Sequence, residues 1–417
     1  MRVPRFRKSL TTNAVSLMTA TVATNALGLA FWAYAAHLKA PVVVGRAAAA
    51  VAALTLLATI SQLNLTNVFV RLLPKAGRLG RRLITRGYLA VVALALVVGA
   101  VYVLSGLSAR VVTGGWVSHL LFVGAVAVLA LFALQDSVLV AMRLAPWVTM
   151  EIVSFAASKL ALLPLLVLLP IGGGIAISWV LPAAVAVIVV SLLLFRRVLP
   201  RLASVEGTLP DRRRLLSFVA GEYVSSICAT TSIQMMTLLV VWRLGPAQVA
   251  YFTLPWLISM GITVLLWNVA QSFVVEIAGE RGHSGALLQR TLLLWGAIVL
   301  GALVVCVLGA HPLLELAGPG YAAHGAELLR LVGLSTPFAA ISAVYFTLVW
   351  LDQRVWLLAL FQAVSAVALL GATLVLLPHL GLVAVGWANL GVQAAAAAVA
   401  APLAARRVRR GNLVAAR

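Results

Sequence analysis

The chain has 417 residues, 63% of them hydrophobic and only 10% charged, with a formal net charge of +21. Soluble domains carry roughly 25% charged residues, so a water-solvated globular core is excluded and the solvent of this chain is lipid. The basic excess does not point to nucleic acid, because the Lys and Arg residues stand between apolar runs, where they set topology and meet anionic lipid.

A membrane-spanning helix needs ~20 mostly apolar residues. In chain order the apolar runs predict helices at 11–36, 47–71, 87–106, 119–142, 147–169, 175–195, 216–242, 247–275, 290–310, 326–351, 355–377 and 381–404. Turns are expected where Pro and Gly cluster: Pro41 to Gly45, Gly77 to Gly80, Gly114-Gly115, Gly172 to Gly174, Gly245-Pro246 and Gly318 to Gly320. The fold class is an all-α integral membrane protein of about twelve transmembrane helices.

The first run could be read as a signal peptide, with a basic start and Ala33-Tyr34-Ala35 as the cleavage pattern. It is too long for a signal h-region, and we read it as the first span. With alternating sides, 25 Lys and Arg residues fall on the side of the N-terminus and 5 on the other (Lys39, Arg46, Arg110, Arg243 and Arg330). Positive charge is retained on the cytoplasmic side. Both termini are therefore expected to be cytoplasmic, in the inner membrane of a bacterium.

The chain repeats itself. Val167-Leu168-Leu169-Pro170 recurs as Val375-Leu376-Leu377-Pro378, and Gly173, Ala176 and Trp179 recur as Gly381, Ala384 and Trp387, always 208 residues apart. The expectation is two pseudo-symmetric six-helix lobes of the same orientation, an N-terminal lobe 1–202 and a C-terminal lobe 215–417. The basic stretch 203–214 is the linker. Lobes related in this way place a substrate site between them.

Ionisable groups inside a span are costly and are functional candidates for that reason. Asp136, Glu151, Lys159 and Glu222 are such groups. Lys159 lies near mid-span, and an ion pair with Asp136 on the neighbouring helix is plausible, either as packing or as part of a site. Glu151 and Lys159 are eight residues apart, about 80° around a helix and ~12 Å along it, so they do not pair directly. Glu222 could bind a coupling cation or meet a loop arginine. Asn25, Gln62, Gln135, Gln234 and Asn268 are polar positions that could line a cavity, or bond between helices.

Cys228 and Cys306 lie singly in apolar runs, and no Cys/His spacing suggests a metal site. Gly77-Arg78-Leu79-Gly80 is not a phosphate-binding loop. The carboxylates expected on the outer side, Glu315 and Glu327, do not form a convincing acid/base pair. No cofactor and no enzymatic activity are expected, so a membrane glycosyltransferase or polymerase is the weakest reading.

Several segments carry a resemblance. They are Asn25-x-x-Gly28-x-x-Phe31-Trp32, Gly45 with the helix ending Val70-Arg71-Leu72-Leu73-Pro74, and Leu134-Gln135-Asp136-Ser137-Val138-Leu139-Val140-Ala141-Met142-Arg143. Ser158-Lys159-Leu160-Ala161-Leu162-Leu163, Gly221-Glu222-Tyr223 and Val275-Glu276 continue the pattern. Together they resemble actinobacterial polysaccharide-biosynthesis flippases, a branch of the superfamily of multidrug, oligosaccharide-lipid and polysaccharide exporters. The resemblance implies export of a polyprenyl-diphosphate-linked oligosaccharide by alternating access, coupled to H⁺ or Na⁺. It also implies Lys159, Arg46 and Arg71 as diphosphate contacts, and Asp136, Glu151 and Glu222 as coupling or structural acids. Expected partners are the lipid-linked sugar, anionic lipids and polysaccharide-assembly enzymes, without nucleic acid. The alternative is a cation-coupled small-molecule or drug antiporter of the same fold.

Overall fold

The computed structural model describes residues 24–142, 144–168, 173–202, 230–231, 233–279, 284–351 and 355–409. Glu222, the whole linker 203–214 and much of the predicted helix 216–242 lie outside these residues.

The described residues are almost wholly helical. The helices are α1 (24–38), α2 (Pro41–Ser61), α3 (Leu65–Ala76), α4 (Gly80–Leu104), α5 (Trp116–Ala141), α6 (Ala145–Leu168) and α7 (Gly174–Leu193). A π-turn, Leu194–Val198, carries α7 on into Leu199–Leu202. After them come α8 (Ile233–Leu244), α9 (Pro246–Gly279), α10 (Ser284–Leu303), α11 (Ala310–Glu315), α12 (Pro319–Leu351), α13 (Val355–Leu380) and α14 (Val383–Arg409). Ten of the helices among the described residues are long and apolar enough to cross a membrane. Only helices satisfy every backbone group within one segment, which is why lipid-solvated sequence adopts them.

The second predicted helix is corrected in two ways. It starts at Pro41 and not at 47, because proline suits a first helical position, where no N–H is needed. It also breaks at Gln62 to Asn64, where Leu63 (φ 50°) and Asn64 (φ 54°) are left-handed. The outcome is a separate amphipathic helix, α3, which buries Val68, Phe69, Leu72 and Leu73 and exposes Arg71.

Two compact units follow from the packing. One runs from Tyr34 to Ala250, and the other takes Tyr251 onward with the described residues up to Ala33. In the first unit α5 is central and packs on α2, α3, α4, α6 and α7. In the second, α12 is central and packs on α10, α11, α13 and α14. The helix preceding α6 and the helix preceding α13 thus play the same part in each unit.

The repeat has a structural counterpart. Gly173 (φ 89°) and Gly381 (φ 59°), 208 residues apart, are both left-handed and both lead into the last long helix of their unit, α7 and α14. Glycine adopts that conformation without a Cβ clash.

Candidate functional site

The charged and polar residues inside the first unit fall into two neighbouring groups on α4 to α7. Their placement follows from helix period: Glu151, Phe155 and Lys159 are spaced by four on α6, so they share one face.

Lys159 lies about 21 Å from the start of α6, just past its middle. It is 4% exposed. Its Nζ sits 3.8 Å from the Trp179 ring centroid and 5.2 Å from that of Phe155. Phe155 in turn packs edge-on to Trp179 at 6.0 Å and against Phe132 of α5 at 4.9 Å. The ammonium is therefore held against aromatic faces, whose quadrupole attracts a cation.

The expected Asp136–Lys159 ion pair does not form. Asp136 instead lies within electrostatic range of Glu151 across the α5–α6 contact. Among the described residues Asp136 Oδ1 and both carboxylate oxygens of Glu151 are buried without a hydrogen-bond partner. The physical reason is axial position. Asp136 is one turn and a half from the end of α5, level with the first turns of α6, whereas Lys159 is two turns deeper. Glu151 and Lys159 do not pair, as their spacing requires.

Around the acids, Gln135 donates from Nε2 to the Val187 carbonyl (3.0 Å) and to Ser191 Oγ (2.7 Å), tying α5 to α7. Gln135 is thus an interhelical tether. Tyr88 of α4 lies beside Gln135 and within range of Glu151, and its ring meets Phe195 at 6.3 Å. Tyr88, Trp179, Phe155 and Ser191 escaped sequence reasoning as site residues. The signal available for one of them, Phe155, was its helical register with Glu151 and Lys159 on α6.

The other expected residues are more dispersed. Arg46 is half-buried on α2, with its Nε lacking a hydrogen-bond partner among the described residues. Arg71 is exposed on α3. Gln62 is buried at the end of α2, and its backbone N–H caps that helix on Ala58 and Thr59. Gln234 is half-buried on α8. Asn25 and Asn268 belong to the second unit, where both are half-buried. In that unit Asn389 donates to Ser335 Oγ at 2.8 Å, an α14–α12 tether.

No protein-family profile matches the sequence, and no curated relative does. Solved structures do match over nearly the whole chain. An inward-facing multidrug resistance MATE family transporter of the MOP superfamily superposes with a TM-score of 0.70 at 15% identity, covering 94% of this chain and 96% of its own. An outward-facing structure described in the same words gives 0.57 at 15% identity, covering 96% of each chain. A MATE structure in complex with MaD5 gives 0.59 at 15% identity, covering 95% of this chain and 94% of its own. The chain therefore has the fold of the MATE transporters of the MOP superfamily, an all-helical membrane transporter fold of about twelve helices.

Proposed function

We propose that this chain is a cation-coupled secondary transporter that exports a small molecule by alternating access, with Asp136 and Glu151 as the coupling acids. One observation carries the reading: two carboxylates from neighbouring helices, Glu151 buried and Asp136 half-buried, lie within charge range of each other in the span, with buried oxygens that no described residue satisfies. Two like charges in apolar surroundings repel strongly. A proton or a monovalent cation between them relieves that repulsion, so its arrival and departure change the energy of the packed helices. That is the differential interaction a coupled transporter needs. Membrane-embedded carboxylates of this kind serve as relays in pumps and transporters. The transporter fold supports the reading over a membrane enzyme, and the multidrug resistance transporters among its neighbours support a small-molecule cargo.

The experiment is gradient-driven transport of a fluorescent organic cation by the purified protein in liposomes, with H⁺ and Na⁺ gradients imposed in turn. Asp136→Asn and Glu151→Gln should reduce transport to the rate without a gradient while leaving insertion intact and the melting temperature no lower than wild type. Gradient-driven transport at the wild-type rate in both variants refutes the assignment.

A second reading is favoured by Lys159, a buried mid-span cation. In it the cargo is a polyprenyl-diphosphate-linked oligosaccharide, whose diphosphate meets Lys159 together with Arg46 and Arg71. Surface-polysaccharide enzymes would then supply and consume the cargo. Its test is a lipid extract from cells lacking the protein. A completed lipid-linked repeat unit held on the inner leaflet selects this cargo, and an unchanged lipid pool with unchanged surface polymer selects the small molecule.

A further inference from the structure

The basic end of the first unit joins exposed arginines to exposed apolar helix faces. On α4 the buried positions Ile84, Gly87, Val91, Ala95, Gly99 and Tyr102 mark the inner face. The opposite face exposes Arg82, Arg86, Leu89, Ala93, Val97 and Val101 in steps of three and four. On α7 the exposed positions Leu181, Val185, Ile188 and Leu192 form the same kind of stripe, and Arg196 of the π-turn that follows is exposed at its end. Each apolar stripe therefore ends in arginine. From Arg86 to Leu104 is about 27 Å along the helix, close to the ~30 Å hydrocarbon thickness of a bilayer. The arginines thus stand at headgroup depth when the stripes face acyl chains.

Packing brings the two ends together. Tyr88 and Phe195 meet edge-on, and the Gly77–Leu79 turn and the start of α4 lie against Leu199–Leu202. Arg82, Arg86 and Arg196 make no ion pair or hydrogen bond with other side chains among the described residues, and neither α4 nor α7 contains an acidic residue. A guanidinium fork matches phosphate oxygens bidentately. We propose that Arg82, Arg86 and Arg196 bind the phosphate headgroup of an anionic phospholipid whose acyl chains lie along the α4 and α7 stripes. The continuity of charge with lipid-facing apolar surface selects a membrane lipid over a soluble acidic partner, which would need an apolar-free approach from water.

The test uses the full chain reconstituted in nanodiscs of equal phosphatidylcholine and phosphatidylglycerol, extracted mildly and examined for retained lipid by native mass spectrometry. A basic residue near an anionic surface contributes about five-fold in affinity. Arg82→Gln/Arg86→Gln/Arg196→Gln should lose retained phosphatidylglycerol by roughly that factor for each arginine removed. The control Lys39→Gln/Arg243→Gln/Arg330→Gln should keep it. Melting in phosphatidylcholine alone should be equal for both, which separates lipid loss from misfolding. Equal loss in the two triple variants, or undiminished retention in the first, overturns the site. Displacement of the lipid by millimolar inorganic phosphate also overturns it, by showing that the arginines recognise phosphate without the membrane anchor.

Discussion

At the scale of single residues, the contrast is between a lysine held by aromatic rings and acids with buried oxygens that no described residue satisfies. Desolvated cation–π contacts are worth ~2 kcal/mol, whereas breaking a buried ion pair costs about 3–5 kcal/mol. Asp136 belongs with Glu151 and not with Lys159, and this has a measurable signature. In a double-mutant cycle, Asp136→Asn with Glu151→Gln should couple by at least ~1 kcal/mol, because neutralising either acid already removes the repulsion. Asp136→Asn with Lys159→Met should couple by less than about 0.5 kcal/mol. Denaturation of the wild type and the five variants in detergent gives both cycles, and a strong Asp136–Lys159 coupling would restore the packing pair expected from sequence. The sequence marks these side chains as costly to bury, but charge sign alone pairs them wrongly. Partner choice depends on axial depth along α5 and α6, which shifts by a turn whenever helix ends move by a few residues.

At the scale of elements, the approach of α2 to the start of α9 is decided by one glycine. A Cβ at Gly45 would stand 1.7 Å from the Pro246 carbonyl oxygen and 2.8 Å from the Ala250 nitrogen, both backbone atoms that cannot rotate away. Gly45→Ala should therefore abolish or sharply reduce the yield of folded protein in membranes, measured by size-exclusion of the extracted protein. Gly28→Ala should be tolerated, since an added Cβ there meets nothing within 4 Å among the described residues. The break between α2 and α3 yields a second element-scale expectation. A non-glycine residue in the left-handed region costs ~1–3 kcal/mol, so Leu63→Gly should raise the melting temperature and Asn64→Val should lower it. Helix count, order and most ends were legible because twenty-residue apolar runs leave the chain few choices. The break was not, because Ser61-Gln62-Leu63-Asn64 contains neither proline nor glycine, and only the asparagine hints at a left-handed turn. Gly45 was read as part of a turn, since one sequence cannot tell a glycine that bends the chain from one that admits a neighbouring backbone.

At the scale of the whole molecule, the 208-residue repeat keeps backbone features and not chemistry. Gly173 and Gly381 keep the same left-handed conformation, and Trp179 and Trp387 follow them at the same distance. Yet the positions 208 residues beyond Asp136, Glu151 and Lys159 are Val344, Ala359 and Val367. Trp179 covers the Lys159 ammonium, whereas Trp387 is 49% exposed on an outward apolar groove with Phe361 and Leu376. The repeated tryptophans thus have different work, and the difference can be measured. Trp179→Leu removes the aromatic face that holds a buried cation and should slow gradient-driven transport and lower the melting temperature. Trp387→Leu exchanges one lipid-facing apolar side chain for another and should leave both near wild type. Equal loss from the two substitutions would mean that the units contribute symmetrically to transport. Loss from Trp179→Leu alone would place the coupling chemistry in the first unit.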